Sequence, residues 1–110
     1  MKKIILLMIL AAPLAAQDEH LVQGKAVFDK WCAPCHDAGE KDHPGTLALS
    51  IKYQGQKSPV IAEWTDLTEE LTRYYVRNGV SVMPHFRKTE INDEELAALA
   101  AYLARNMPGK

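Results

Sequence analysis

The sequence is short of most features that would mark a membrane protein, a nucleic-acid binder or a sheet domain. No apolar run reaches the roughly 20 residues that a helical bilayer span needs; the longest, residues 4–14, has eleven. No segment alternates apolar and polar residues with a period of two, which leaves no candidate strand. Positive charge is not in excess, with 13 Lys and Arg against 14 Asp and Glu, and this excludes an obviously basic nucleic-acid binder. There is no internal repeat and no low-complexity linker, and 110 residues give room for one domain. Cysteine is scarce as well, at two residues, alongside four histidines and four methionines.

The one long apolar run follows a basic start, Met1-Lys2-Lys3, and so fits the central segment of a secretory signal peptide. Cleavage is expected after Ala16, making residues 1–16 the signal peptide and residues 17–110 the mature domain. Leu14 stands where a small residue is usual two positions before the cut, and an uncleaved anchor is the alternative. Losing Lys2 and Lys3 leaves 11 basic against 14 acidic residues. The expectation is an exported, periplasmic protein with no membrane span in its mature chain. A mature domain of about 94 residues is small for an all-protein core and calls for a staple such as a metal, a disulfide or a bound cofactor.

The cysteines supply the candidate. Cys32 and Cys35 flank Ala33-Pro34, and His36 follows at once. Cys-x-x-Cys-His is the pattern of c-type haem attachment. Two thiols at this spacing reach the two vinyl groups on one porphyrin edge, and the adjacent imidazole meets the iron from the same side. Two other readings compete. A thioredoxin-like redox pair or disulfide does not need the adjacent histidine and prefers a βαβ setting. A zinc site would need a second ligand pair, which is missing. The motif therefore predicts one covalent haem c, attached through Cys32 and Cys35, with His36 as an axial ligand.

Helical periodicity accounts for the rest. Gly24, Val27, Phe28 and Trp31 share a face over residues 21–31, running straight into the haem motif. Residues 37–57, with Gly39, Pro44, Gly45 and Gly55, read as an irregular loop packed on the haem. Ser58-Pro59 looks like a helix start, with serine as N-cap and proline first in the helix, giving a short turn towards Trp64. Asp66 with Glu69 resembles a capping box for a third helix that ends at Gly79. The last helix has Asn92 as N-cap, Glu95 at the third position, and an Ile91–Leu96 hydrophobic staple. Its stripe is Leu96, Leu99, Ala100 and Leu103, and Pro108-Gly109 is expected to stop it. The chain reads as all-α.

The second axial position has few candidates. Met1 and Met8 lie in the expected leader, leaving Met107 in the tail and Met83, which is stiffened by Pro84. His85 competes, with His43 and His20 more distant, and the position could also stay open. Met83 as core packing is the plain alternative. Ligation by both His36 and Met83 would suit electron transfer and raise the reduction potential relative to two histidines. An open or labile sixth site would instead suit a gas-binding or catalytic haem subunit. Pro44 is the candidate carbonyl for the outer nitrogen of His36. Arg77 is a candidate partner for a haem propionate, and Trp64 the best aromatic neighbour of the haem.

With Cys32-Ala33-Pro34-Cys35-His36, Arg77-Asn78-Gly79 and Met83-Pro84 together, the chain resembles the small class I cytochromes c. Gly24 and Phe28 match the family's first-helix pair, and Leu99 and Tyr102 the pair on its last helix. The resemblance implies the class I fold, three main helices plus short helices wrapped around one covalent haem. It also implies that the two pairs meet where the first and last helices cross. The stretch from Val76 through Met83-Pro84 to Phe86 is similar to cytochrome subunits serving periplasmic flavin dehydrogenases of the p-cresol methylhydroxylase and eugenol hydroxylase type. That likeness implies an electron carrier, with a flavin dehydrogenase as donor and an oxidase or another cytochrome as acceptor. The family's usual Gly-Pro-x-Leu is replaced by His43-Pro44-Gly45-Thr46-Leu47.

Overall fold

The C-terminal helix shows how local sequence sets the architecture. Asn92 accepts a hydrogen bond from the Glu95 amide (2.8 Å), and the Glu95 carboxylate accepts one from the Asn92 amide (2.9 Å). This closes the expected capping box. In the computed structural model, which describes residues 12–109, that helix (α5, Asp93–Leu103) is preceded by α1 (Ala12–Val27), α2 (Ala33–His36), α3 (Pro44–Tyr53) and α4 (Glu69–Asn78). A π-helical segment, Phe28–Cys32, joins α1 to α2, and a 3-10 turn, Ile61–Glu63, lies before α4. No strand occurs among the described residues, and the one isolated bridge pairs Val80 with Met83. Most of the expected leader, residues 1–11, lies outside the described residues.

The core forms where α1 meets α5, with α4 packed on α5. Ile91 and Leu99 are fully buried, and Val27, Phe28, Val76, Leu96 and Leu103 surround them. The two helices approach so closely at Gly24 that a Cβ there would run into the Ala98 carbonyl oxygen and lie 2.7 Å from the Tyr102 Cβ. One turn on, the Phe28 and Tyr102 rings meet at 5.7 Å. The expected pairing of Gly24 and Phe28 with the last helix is therefore present, with Ala98 and Tyr102 as the nearest atoms.

Several expectations shift. Residues 44–53 are helical rather than irregular: Pro44 opens α3 from an extended His43, and Gln54 ends it in a left-handed conformation (φ 49°). Proline at the first helical position loses no hydrogen bond, so its presence was a start signal. The short turn expected after Ser58-Pro59 is present as the 3-10 turn Ile61–Glu63, but its N-cap is Val60, and the Ser58 hydroxyl accepts from the Val60 amide and donates to Glu63. The cap of α4 is Thr68, whose hydroxyl accepts from the Leu71 amide (3.1 Å). The Asp66 carboxylate is instead held by Lys57. The last helix stops at Leu103, ahead of Pro108-Gly109, with turns closing residues 104–107.

Substituting Gly24 by alanine forces backbones apart, which outweighs the roughly 1 kcal/mol gained in helix propensity. The expected net loss is about 2 kcal/mol on the scale of overpacked cores, measured by denaturant unfolding. Asn92→Ala is expected to cost about 1 kcal/mol by loss of the cap, in the same assay.

Candidate functional site

The cysteine motif sits in a helix whose hydrogen bonding changes on the way in. The Ala33 amide donates to the Phe28 carbonyl, five residues back, and the Asp37 amide then donates to the Ala33 carbonyl at 3.0 Å. Cys32 and His36, one α-turn apart, both line one mostly apolar cavity that is partly open to solvent. Cys32 is half-buried and Cys35 exposed, and no disulfide joins them. Burial, reinforced by Cys35, pushes the Cys32 thiol up to about 12. Burial likewise lowers the pKa of His36, which favours the neutral imidazole.

His36 is held by packing rather than by a hydrogen bond. A Cβ on Gly45 would lie 2.7 Å from the Cys35 carbonyl oxygen and 2.9 Å from His36 Nδ1, so only glycine lets α3 come this close. Nδ1 is buried with no hydrogen-bond partner, which leaves Nε2 as the nitrogen available to an iron. The bond expected from His36 to the Pro44 carbonyl is not formed. Pro44 is the first residue of α3, and a carbonyl there points along the helix to the amide four residues on. Thr46, fully buried, donates to the Asp37 carbonyl at 2.7 Å and ties α3 to the end of the motif. Gly45 and Thr46 were missed by sequence reasoning because the loop reading packed residues 37–57 on the haem, whereas these two residues meet His36 and the Asp37 carbonyl.

Met83 reaches the same cavity from the other half of the chain. Val80 and Met83 exchange amide-to-carbonyl hydrogen bonds of 3.1 and 2.9 Å across a tight turn in which Ser81 has φ 54°. Gly79 precedes it with φ 69°, and a Cβ there would lie 2.5 Å from the Met83 carbonyl oxygen. Beyond the turn, the Phe86 amide donates to the Val76 carbonyl at 2.7 Å. The Phe86 ring meets Trp31, beside Cys32, edge-on at 5.8 Å.

Arg77 is placed elsewhere than at the cavity. Its guanidinium donates to the carbonyls of Phe86 (3.1 Å) and Ile91 (2.8 Å) and to the Asp93 carboxylate (3.0 Å), bracing both ends of the segment after Met83. Trp64 does line the cavity, its indole N–H donating to the Ser58 carbonyl at 2.6 Å. The rival ligands lie apart from it. His43 donates to the Gly39 carbonyl, His85 is exposed, and neither they nor His20 line the cavity. Met107 lies in a different groove with Thr68 and Arg73. Among the described residues, no cluster of three or more His, Cys, Asp or Glu side chains could hold a metal ion, so the zinc reading has no site there. A mostly apolar cavity holding thiol, imidazole and thioether donors fits an iron porphyrin attached through a thiol.

Gly45→Ala is expected to displace the His36 ring and Gly79→Ala the Met83 turn. Each should lower unfolding stability by about 1–3 kcal/mol, the range for overpacking and backbone strain, read as a fall in the denaturant midpoint.

Comparison with known proteins agrees with this geometry. Residues 19–103 match the family described as cytochrome C oxidase, cbb3-type, subunit III. The chain is 32% identical over 97 residues to the 4-cresol dehydrogenase [hydroxylating] cytochrome c subunit of Pseudomonas putida, covering 88% of this chain and 72% of that one. It is 33% identical over 87 residues to cytochrome c6 of Tetradesmus obliquus, covering 76% of this chain and 86% of that one. No solved structure matches significantly. The chain belongs to the cytochrome c family, as an electron carrier of the class I fold holding covalent haem c.

Proposed function

We propose that this protein is an exported one-electron carrier in which Cys32 and Cys35 hold the haem as thioethers and His36 and Met83 ligate its iron. The observation that carries this reading is that one imidazole and one thioether, from opposite halves of the chain, line a single apolar cavity. When bound, the haem supplies a one-electron iron couple. His36 offers Nε2 as a neutral ligand, because burial disfavours its protonated form. Met83, held by the Val80 pairing and the Gly79 approach, would supply the second ligand from the chain and so exclude water and exogenous ligands. Thioether ligation favours the ferrous state and raises the reduction potential relative to a second histidine.

The likeness to a cytochrome subunit of a hydroxylating dehydrogenase supports a flavin-dependent dehydrogenase as the electron donor. The acceptor in this reading is an oxidase or another cytochrome of the respiratory chain. Residues 1–16 act as a signal peptide, delivering residues 17–110 to the periplasm. No helix among the described residues is long and apolar enough to cross a membrane.

Protein made with the haem-attachment machinery is expected to carry one haem per chain by pyridine haemochrome. It should be six-coordinate and low-spin, with the weak long-wavelength Met-to-ferric band. Met83→Ala should abolish that band and let carbon monoxide bind the ferrous protein; immediate carbon monoxide binding by the unmutated protein would overturn the ligand assignment. Periplasmic material should begin at Gln17, and a co-purifying flavoprotein should reduce this haem when given its substrate.

A further inference from the structure

The cavity is apolar over most of its lining, and its charged side chains among the described residues, other than the titratable histidine and cysteine, are Lys52, Lys57 and Asp66. Lys57 is the most tightly held of the three. Its ammonium lies 2.9 and 2.8 Å from the two carboxylate oxygens of Asp66. It also sits 3.8 Å from the centroid of the Trp64 ring and 5.6 Å from that of Tyr53. Tyr53 and Trp64 meet edge-on at 5.9 Å, and the Trp64 indole is fixed by its bond to the Ser58 carbonyl. The Lys57 side chain is 27% exposed and that of Asp66 64%, so the cation is turned inward and the carboxylate outward.

Haem carries two carboxylates, and a carboxylate set against an apolar wall needs a cation. Arg77 is committed to Phe86, Ile91 and Asp93 and does not line the cavity. We infer that Lys57, braced on Trp64 and shared with Asp66, receives a haem propionate, and that the Lys57–Asp66 pair sets the reduction potential from the rim. This rests on the haem reading above and adds a positioning role that the axial ligands do not supply. Reduction of the iron adds one negative charge to the site. The Lys57 ammonium therefore favours the ferrous state and the Asp66 carboxylate opposes it.

The test is spectroelectrochemical titration of the haem-loaded protein and its variants. Lys57→Gln should lower the potential and Asp66→Asn should raise it. Lys57→Arg, which keeps the charge, should hold it near the unmutated value. Lys25→Gln removes a cation of the exposed Lys25–Asp29 pair on α1, outside the cavity, and serves as the control. Its effect should be small and vanish at high salt, while that of the less exposed Lys57 persists. Haem content and the Met-to-ferric band are recorded for every variant, which separates this inference from the haem reading. Potentials unchanged in Lys57→Gln and Asp66→Asn with haem and band intact would overturn the inference alone. If Lys57→Gln fails to load haem, Lys57→Arg decides: loading at the original potential supports a charge role, and failure to load overturns it. Absence of haem in the unmutated protein would overturn both.

Discussion

Everything in this structure hangs on the contact of two backbones at Gly24. Because no side chain stands between α1 and the Ala98 carbonyl, the first and last helices of the chain come close enough to share one core. Phe28 and Tyr102 then meet one turn further along, and Leu99 is sealed from solvent. That crossing holds α1 still, and the cysteine motif follows from it through the π-helical segment and α2. The site is thus positioned by a main-chain approach well outside it, and the chemistry of the motif has a rigid base.

The same device recurs at the site. Gly45 lets α3 press on the His36 ring, and Gly79 lets the helix end lie against the Met83 backbone. In both places a missing Cβ permits a close approach, at Gly45 against the His36 ring and at Gly79 beside the hydrogen-bonded Val80–Met83 turn. Arg77 adds the complementary device, a charged side chain bonded to the carbonyls of Phe86 and Ile91, so that the segment after Met83 is fixed at both ends. Trp31 against Phe86 then joins the attachment helix to the far side of the cavity. Two halves of the chain, one bringing His36 and the other Met83 to the same cavity, are thereby locked together.

What the sequence made legible was local chemistry. Cys-x-x-Cys-His is a contiguous motif, and the Asn92–Glu95 box with its staple is complete within six residues, so both could be read without knowing the fold. The α4 start could not be placed correctly, because Asp66 and Thr68 are both good caps. The choice was made by Lys57, which holds Asp66 from nine residues away. Helix α3 was hidden for a similar reason. Pro44 and Gly45 are weak helix formers, and what justifies Gly45 is contact with His36, a tertiary fact. Arg77 was noticed as part of a motif, but its partners lie well along the chain at Phe86, Ile91 and Asp93, beyond the reach of spacing arguments. Sequence reasoning succeeded where a pattern carries its own partner and fell short where the partner arrives through folding.

The π-helical segment at Phe28–Cys32 has a geometric consequence for the motif. An α-helix advances about 100° per residue, so eight residues overshoot two full turns by about 80°. Between Phe28 and His36 that drift would swing the imidazole well round the helix from the ring that packs on α5. A wider turn advances less per residue and recovers much of the overshoot. The imidazole of His36 is thereby brought back towards the helix face on which Phe28 lies. The direction in which the His36 imidazole points is a matter of phase, fixed by how many residues the turn contains before any side chain makes a contact.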